Sequence, residues 1–486
     1  MSKLKKSAMS VMLAALWLCA SGSQSAAQTD TTTDVGTTFT SLFSFDDTNG
    51  EAPEGALVQA TDGNLYGATV LGGSNCPPYG CGTIFKITPS GTLTTLHSFN
   101  STDGYEPHAL IQATNGNFYG TTAFGGTNGE GTVFEITPSG MLTTLHSFDG
   151  ADGEAPQAAL IEAGDGNFYG TTSRGGAHKL CPPRRTVTCG TVFKITPSGT
   201  LTTLASFGEE GGFDPFSSLI QATDGNFYGT TPDSVFKVTP SGTLTTLASV
   251  SSSYAGLVQA TDGNFYGTTE YGGNAACDGG CGTVFKVTPS GTLTTLLSFT
   301  NSANPVAALI QATDGNLYGT TGVGGANNDC GGSAPGPVGC GTVFKITLGG
   351  TLTTLFSFDS TDGGGPLALV QATNGEFYGT TAGGGASGAC NSQGDIGCGT
   401  VFNLSPGLGP FVETQPGSGA AGATVKILGT DLTGASSVAF NGTAAKFTVV
   451  SSSEITTSVP ADASTGEVQV VTPSGTLFSN VSFRVP

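Results

Sequence analysis

The chain has 486 residues, of which 77 are glycine and 24 are proline, and charged residues make up only 10% of it. Few charges and many glycines exclude helical bundles and coiled coils, and a hydrophobic fraction of 37% excludes a disordered acidic chain. A net charge of −20 excludes the basic surfaces that bind nucleic acid. The composition favours many short strands joined by tight turns.

Residues 1–27 have the pattern of a secretory signal peptide. Residues 1–6 (MSKLKK) are basic, residues 8–20 (AMSVMLAALWLCA) form an apolar run too short to span a bilayer, and residues 25–27 are small. The alternative is a lipoprotein anchor on Cys19, which is disfavoured because a leucine precedes this cysteine where a small side chain is expected.

Export has consequences for the rest of the chain. Cleavage would remove three lysines and the only tryptophan, Trp17, and would leave a net charge of −23. No later apolar run reaches the roughly 18 residues of a membrane span. We therefore expect a secreted, cell-surface or periplasmic protein without a transmembrane segment, in which residues 28–36 form a linker.

Residues 37–405 are dominated by one repeat. The phrase ATDGNFYGTT recurs with small variations, roughly every 50 residues, and its tyrosine falls at seven positions: Tyr66, Tyr119, Tyr169, Tyr228, Tyr266, Tyr318 and Tyr378. A period of this size is typical of propellers and solenoids.

One copy, residues 158–207, shows what each repeat contains. An apolar run is followed by the turn signal DGN and a second run, FYGTT; the alternating segment TVFKIT then leads through the turn PSG to TLTTLASF. Period-two alternation and short glycine-containing connections indicate antiparallel strands. Four strands per copy and seven copies predict an all-β, seven-bladed β-propeller with four-stranded blades. A β-helix, with shorter coils and parallel pairing, is the more distant alternative.

The two ends of the repeat region complement each other. The last copy ends at residues 400–405 without a fourth strand, and the missing segment stands at residues 37–45 (TTFTSLFSF). We predict that this N-terminal strand completes the seventh blade and closes the ring, which would remove two exposed sheet edges.

Strand parity assigns the connections to two faces. The short turns DGN and PSG must lie on one face, which we call the turn face. The connections between second and third strands, and those between blades, must lie on the other, the loop face. These are the long and variable connections, where function on a repeat scaffold usually resides.

Ten cysteines recur at equivalent places within the repeats. Each pair falls within one connection between second and third strands, which predicts five intraloop disulfides in an oxidising compartment. Metal binding is the weaker alternative because the spacings are irregular and only one of these loops has a histidine nearby. The pairs are Cys76/Cys81, Cys181/Cys189, Cys277/Cys281, Cys330/Cys340 and Cys390/Cys398.

Residues 56–402 resemble the GloVer (Gloeo_Verruco) tandem repeat of bacterial exported proteins. The resemblance is carried by LIQATDGNFYGTT at residues 219–231 and GTIFKITPSGTLTTLHSF at residues 82–99, with close copies elsewhere. It implies an exported β-propeller, but it brings no characterised reaction and no catalytic residues.

Residues 409–486 leave the repeat and resemble the IPT/TIG immunoglobulin-like domain. The segments PGSG at 416–419, VAF at 438–440 and ITTSVP at 455–460 stand where that pattern has them. Short alternating runs with frequent turn signals also predict a small sandwich. The resemblance implies a spacer or an interaction domain.

The search for reactive residues gives few candidates. His97 and His146 occupy equivalent strand positions and are interpreted as packing residues, whereas His108 and His178 are predicted to lie in loops. Acids in the crossovers suggest either calcium ligands or, more simply, side chains that stabilise turns. These acids and amides are Asp149/Asp152, Asp359/Asp362, Asp46/Asn49 and Asn100/Asp103. We predict no catalytic residue, no cofactor and no metal site.

Basic residues break the pattern in one loop. In the chain without residues 1–27, every Lys and Arg outside five strand copies and the C-terminal domain lies in the disulfide loop of the third blade beside His178: Arg174, Lys179, Arg184 and Arg185. This loop could bind an anionic group of a ligand; the alternative is a salt-bridged loop that balances neighbouring acids. Glu270 and Tyr271 in the fifth blade are a second departure from the repeat.

Two functions therefore remain open. The first is an exported, non-catalytic protein that presents the loop face to a protein or polysaccharide ligand. The second is a carbohydrate-active or lyase-type enzyme that uses the same face, which would require repeat-breaking side chains that converge near the channel mouth.

Overall fold

The computed structural model describes residues 36–178, 189–208, 211–275, 277, 280–300, 303–327, 330, 339–387, 390 and 397–485. Within these residues the chain forms strands and no helix. Seven four-stranded sheets follow one another and are succeeded by two further four-stranded sheets. The all-β architecture of seven blades and a C-terminal sandwich is confirmed. The described part of the chain contains no helix that could cross a membrane.

The strands of the repeat region are numbered in chain order. They are β1 (Thr38–Ser44); β2 (Val58–Gln59), β3 (Leu65–Thr69), β4 (Thr83–Ile87), β5 (Leu93–Ser98); β6 (Tyr105–Gln112), β7 (Phe118–Phe124), β8 (Thr132–Ile136), β9 (Leu142–Ser147); β10 (Ile161–Glu162), β11 (Phe168–Thr172), β12 (Thr191–Ile195), β13 (Leu201–Ser206); β14 (Ile220–Gln221), β15 (Phe227–Thr231), β16 (Ser234–Val238), β17 (Leu244–Ser249); β18 (Val258–Gln259), β19 (Phe265–Thr269), β20 (Thr283–Val287), β21 (Leu293–Ser298); β22 (Ile310–Gln311), β23 (Leu317–Thr321), β24 (Thr342–Ile346), β25 (Leu352–Ser357); and β26 (Gly364–Gln371), β27 (Phe377–Gly383), β28 (Thr400–Ser405).

The C-terminal strands form a two-sheet sandwich. They are β29 (Glu413–Gln415), β30 (Thr424–Leu428), β31 (Ser437–Phe440), β32 (Thr443–Ala445), β33 (Phe447–Val449), β34 (Glu454–Ser458), β35 (Val468–Thr472) and β36 (Gly475–Phe478). One sheet has the order β29-β30-β34-β33 and the other β32-β31-β35-β36. Val412, Ile427, Val438 and Ile455 are fully or almost fully buried between them.

The first strand of the chain completes the seventh sheet. β1 pairs antiparallel with β28 in the order β1-β28-β27-β26, and Phe39 lies opposite Leu404. The seventh sheet also contacts the first, because the amide of Thr373 donates a 2.8 Å hydrogen bond to Gln59 Oε1. The predicted pairing of the N-terminal strand is therefore observed.

Consecutive blades are joined by the same bond around the whole set. The glutamine or glutamate at the end of each first strand accepts a hydrogen bond from the backbone amide two residues beyond the neighbouring first strand, at 2.8–3.3 Å. The acceptors are Gln59, Gln112, Glu162, Gln221, Gln259, Gln311 and Gln371. Since these bonds link successive first strands to each other, the first strands surround the central axis.

The core lies between neighbouring blades. Every residue of β11, FYGTT, is buried, because this strand packs on both faces. Its tyrosine ring stacks on the phenylalanine of the next blade: Tyr169 and Phe227 have centroids 4.2 Å apart. The glycine that follows the tyrosine is required by packing, since a Cβ on Gly170 would lie 2.6 Å from the ring of Phe193. The recurrent Tyr-Gly step therefore has a steric origin.

The strand lysines are structural. Lys194 Nζ lies 2.8 Å from Asp165 Oδ2, which also accepts a hydrogen bond from the Tyr169 hydroxyl. Blades one, four and six have the same Lys–Asp pair. In blade two a negative charge replaces the positive one, because Glu135 stands at the lysine position. Its carboxylate accepts hydrogen bonds from the Tyr119 hydroxyl and the Asn117 side-chain amide. The predicted strand copies thus stabilise the turn face.

These aspartates predict a loss of stability in acid. Partial burial acts to raise the pKa of Asp165 and Asp224, but hydrogen bonds from lysine, asparagine and tyrosine outweigh it and lower each to about 2. A depressed carboxyl pKa stabilises the fold above the unfolded value of about 4, and this contribution is lost as the pH falls towards about 2. We expect the urea midpoint to fall between pH 4 and pH 2, and to fall less in a D165N/D224N variant. The exposed Asp462→Asn is the control; an identical pH profile in both variants would contradict the prediction.

The C-terminal sandwich packs against the turn face of the propeller. Ser453 Oγ donates a 2.7 Å hydrogen bond to the carbonyl of Thr61, and Asn480 Nδ2 donates one of 2.8 Å to that of Gln311. The amide of Phe411 bonds to the carbonyl of Thr373. Three further side chains lie against turns of blades two, three and four: Lys426 at Gly116, Ser418 at Gly164 and Arg484 at Gly225. The sandwich thus contacts six of the seven blades at their innermost turns or at the end of the strand before the turn.

Candidate functional site at the mouth of the central channel

The disulfide loops lie on the loop face, opposite the sandwich. Four of the five predicted disulfides are present: Cys76–Cys81, Cys277–Cys281, Cys330–Cys340 and Cys390–Cys398. Cys189 is also disulfide-bonded, while its predicted partner Cys181 lies outside the described residues.

The predicted basic loop is only partly described. Arg174 is half-buried and its guanidinium lies 3.8 Å from Glu154. His178 is exposed and lies against Gly208. Lys179, Arg184 and Arg185 lie outside the described residues. The pairing of Arg174 with Glu154 agrees with the alternative in which this residue balances a neighbouring acid.

The acids of the crossovers are bonded within their own turns. Asp149 Oδ1 accepts hydrogen bonds from the amides of Ala151 and Asp152, and Asp152 Oδ1 accepts one from the amide of Asp149. His146 Nε2 lies 2.7 Å from Asp152 Oδ2 and its ring packs on Phe148. His97 has the equivalent contacts with Asp103 and Phe99. These residues stabilise turns, as the simpler interpretation predicted. Among the described residues, no group of three or more His, Cys, Asp or Glu is placed to hold a metal ion.

A backbone feature recurs where each blade begins at the loop face. One residue per blade has a left-handed conformation, and in every blade but the fifth a proline follows it. The proline packs tightly: a Cβ on Gly190 would lie 2.8 Å from Pro215 Cδ of the next blade. The left-handed residues are Ala52, Glu106, Ala155, Asp214, Ser252, Asn304 and Gly365, with φ between 45° and 64°. Because this left-handed residue recurs in all blades, it is part of the repeat scaffold. It fixes the backbone direction at the residue that begins each innermost strand.

That side chain defines a ring at the mouth of the channel. We call mouth ring the seven residues that follow this step, at the beginning of the innermost strands: Glu54, His108, Gln157, Phe216, Tyr254, Val306 and Leu367. Six are half-buried although the residue before each is buried, so these six are partly accessible at the start of otherwise buried strands. The position differs in all seven copies, whereas the leucine that follows shortly after is identical in all. Sequence analysis missed this ring, and its variability within the repeat is the signal that could have found it.

One half of the mouth ring, from blades one to three, is polar. His108 is only 6% exposed, and neither its Nε2 nor the buried Gln157 Oε1 has a hydrogen-bond partner among the described residues. Burial lowers the pKa of His108 to about 4, so its imidazole is neutral at pH 7. Burial, reinforced by the Glu106 carboxylate, raises the pKa of Glu54 to about 7. The prediction that His108 lies in a loop is wrong, because β6 continues through this residue.

The other half, from blades four to seven, is apolar. The rings of Phe216 and Tyr254, which belong to adjacent blades, have centroids 5.9 Å apart and are tilted by 47°. Val306 and Leu367 hold the equivalent positions in blades six and seven, so the four residues of this half are all apolar or aromatic. The mouth therefore has a polar side and an aliphatic-aromatic side, as a binding site for a ligand with two unlike ends would.

Two further polar groups are buried at the loop face between blades five and six. Glu270 is 1% exposed, and neither of its carboxylate oxygens has a hydrogen-bond partner among the described residues. Burial raises its pKa to about 7, and the side chain of the adjacent Tyr271 acts in the opposite direction. The amide group of Asn304 is equally buried and has no partner in the described part of the chain. Other blades have small or apolar residues at the position of Glu270, for example Val70, Ser173 and Ala382.

The chain matches two family models. The Gloeobacter/Verrucomicrobia repeat matches residues 74–253 and 233–406, which together span more than half of the chain. The IPT/TIG domain matches residues 412–485. No curated protein matches the sequence.

Solved structures share the propeller fold. Virginiamycin B lyase from Staphylococcus aureus is 15% identical, with a TM-score of 0.51 over 76% of this chain and 99% of the lyase chain. A catalytically inactive variant of the same lyase with quinupristin is 14% identical, with a TM-score of 0.52 over the same shares. At this identity the likeness concerns the fold alone.

Proposed function

Because the chain belongs to the Gloeobacter/Verrucomicrobia repeat family and carries a C-terminal IPT/TIG domain, we propose that it is an exported, non-catalytic binding protein that takes its ligand at the loop face. A repeat propeller joined to an immunoglobulin-like domain fits a binding role. The pattern of residues 1–27 and the disulfides of the loop face support export to an oxidising compartment. The ligand we expect is a protein or polysaccharide.

The position of the sandwich supports the loop face as the binding surface. The sandwich covers the innermost turns of the opposite face through bonds such as Ser453 to Thr61. A ligand can therefore approach the axis of the propeller from the loop face. In this arrangement the sandwich acts as a cap or as a spacer towards another surface.

The mouth ring is the observation that carries the proposal. A purely structural position in a repeat should keep one residue type, but this position holds a different side chain in each blade. Buried polar groups without partners are costly, by about 1–3 kcal/mol each, and His108 and Gln157 supply two of them in adjacent blades. A ligand that meets these groups would offset the cost.

The test is a comparison of two variants on a glycan array and in a pull-down from cell-surface extracts. We expect Q157A/F216A to lose at least ten-fold in binding to the ligand that the native protein retains. Met141→Ala is the matched control, because Met141 is 68% exposed in a turn of blade two on the opposite face. Full binding by Q157A/F216A, with loss only on deletion of residues 409–486, would place the ligand on the sandwich and overturn the proposal.

An enzyme is the second candidate, and Glu270 is the observation that favours it. A buried carboxyl with a pKa of about 7 has the property expected of a general base or acid. The similar fold of virginiamycin B lyase makes a lyase-type reaction the first one to assay. Turnover of virginiamycin B or of a uronate-containing polysaccharide that disappears in Glu270→Gln would overturn the non-catalytic proposal; absence of turnover would support it.

The basic loop is a separate proposal for the same face. We propose that Arg184 and Arg185, with His178 and Lys179, contact an anionic part of the ligand. An R184A/R185A variant should then bind more weakly to the retained ligand, with a smaller effect of salt. Full binding by this variant would refute a role for the loop.

A further inference from the structure

We propose that the mouth of the channel binds a protonated primary amine attached to an apolar group, an inference that rests on the proposed function and names the chemistry of the ligand. The proposal joins two sets of residues that lie at the same face: buried oxygen acceptors, and the aromatic and aliphatic half of the mouth ring.

The buried acceptors define what the polar end of the ligand must bring. Both carboxylate oxygens of Glu270 and the Oε1 of Gln157 are buried and make no hydrogen bond of normal geometry among the described residues, although the Tyr271 side chain lies near enough to Glu270 to act against the rise of its pKa. Oxygen acceptors are satisfied by N–H or O–H donors, and an ammonium group offers three donors and no acceptor. Bonds from a charged donor are also stronger than neutral ones. A primary amine therefore fits these groups better than a hydroxyl or a carboxylate does.

The charge of the surroundings favours a cation. Burial raises the pKa of both Glu54 and Glu154; the Glu106 carboxylate adds to the rise for Glu54 and the Glu130 carboxylate to that for Glu154, so these carboxylates of blades one to three repel each other. Arg174 lies 3.8 Å from Glu154, and His108 is neutral at pH 7. A bound cation would relieve the mutual repulsion of these carboxylates.

The apolar half of the mouth defines the other end of the ligand. Phe216 and Tyr254 present two tilted rings at the edge of the channel, and both are half-buried. Rings in this arrangement pack against an aromatic or aliphatic group and attract a nearby cation through their π faces. Glu270 belongs to the same blade as Tyr254, and its amide bonds to Ser252, two residues before that tyrosine. The backbone of Glu270 therefore lies beside the segment of blade five that carries Tyr254.

The burial of the Glu270 carboxyl lowers the stability of the folded chain, and this is an independent sign of a ligand. A carboxyl buried to 99% without a hydrogen-bond partner destabilises the folded chain, and other copies of the repeat place Val70 or Ala382 at this position. The side-chain amide of Asn304, in the next blade, is also buried without a hydrogen-bond partner among the described residues. Residues that break a repeat at a cost in stability are expected at functional sites.

The experiment is calorimetric titration of the chain without residues 1–27 with four small probes. We expect saturable binding of phenethylamine, and at least ten-fold weaker binding of 2-phenylethanol, which lacks the charge. The trimethylated phenethylammonium ion lacks N–H donors and glucosamine lacks the apolar group, so both should bind at least ten-fold more weakly as well. Equal binding of the alcohol or of the quaternary ion would overturn the proposal.

Variants test the residues. Glu270→Gln and Glu54→Gln should each weaken phenethylamine binding at least ten-fold, while Glu467→Gln, at an exposed position of the sandwich, should leave it unchanged. Unchanged phenethylamine binding in both the Glu270→Gln and the Glu54→Gln variant would overturn the assignment of these residues to the site. Suppose that no amine binds, but that Q157A/F216A loses binding to a glycan or protein ligand of the native protein. This inference then fails and the proposed function stands. If no ligand depends on Gln157 and Phe216, the proposed function fails.

Discussion

Truncating Phe45 is expected to cause the largest loss of stability of any single substitution considered in this protein. Phe45 is fully buried, its ring packs on Phe85 of the first blade, and its amide bonds to the carbonyl of Gly399 in the seventh. It therefore joins the N-terminal strand to two blades at once. Phe45→Ala should lower the free energy of unfolding by about 3–5 kcal/mol, as for other buried aromatic truncations. Urea denaturation followed by circular dichroism measures it.

The matched control is Met141→Ala, because an exposed side chain should contribute within about 0.5 kcal/mol. Deletion of residues 36–45 extends the test. It would leave β28 with an unpaired edge and would expose Phe402, so we expect aggregation or a separate unfolding of the seventh sheet. Unfolding of the deleted chain in one transition at the native midpoint would show that β1 contributes nothing to the fold.

Replacing Glu270 by valine is expected to make the protein more stable and to abolish amine binding. The buried carboxyl lacks partners, whereas Val70 fills the equivalent position in blade one with an apolar side chain. Removing an unsatisfied buried polar group should raise the free energy of unfolding by about 1–3 kcal/mol. Thermal denaturation and calorimetric titration with phenethylamine measure the two effects.

Glu467→Val serves as the control, since this glutamate is exposed on the sandwich and should change neither property. A stabilised variant without binding would mean that Glu270 is kept for function at a cost in stability. A Glu270→Val variant that is less stable than the native protein would mean that the carboxyl is a structural residue, and would count against the candidate site.

Much of the fold could be predicted from the sequence because the repeat supplies seven copies of each signal. The alternation in TVFKI and the turn glycines define the strands, and the segment at residues 37–45 matches the missing strand of the last copy. The cysteine pairs follow from the same register, since each pair flanks one loop. Four of these pairs are observed within the described residues.

Features that depend on tertiary contacts could not be predicted. The sandwich is anchored on the turn face largely through backbone carbonyls such as those of Thr61 and Gln311, which leave no pattern in the sequence.

His108 was predicted in a loop, but blade two has one residue fewer between Pro107 and Leu110 than blade one has between Pro53 and Leu57. Without the extra residue β6 extends through His108, with an irregular register against β7 between Pro107 and Leu110.

The candidate site was predicted only in part. Glu270 stood out because it breaks the repeat, and the structure adds that its carboxyl is buried without partners. The mouth ring escaped notice because its members share no residue type, and sequence comparison between copies looks first for what is the same. Only the geometry of the innermost strands shows that these seven unlike side chains hold equivalent places in blades whose first strands are bonded to each other.

A single tryptophan at the mouth tests the central claim most directly. The chain without residues 1–27 has no tryptophan, so Phe216→Trp places the only indole in the mouth ring. Titration with phenethylamine should change its emission and saturate at the concentration found by calorimetry. The same substitution at Phe478, which is 47% exposed on the sandwich, should give no change. A response at position 478 with none at position 216 would contradict the assignment of the ligand to the loop face.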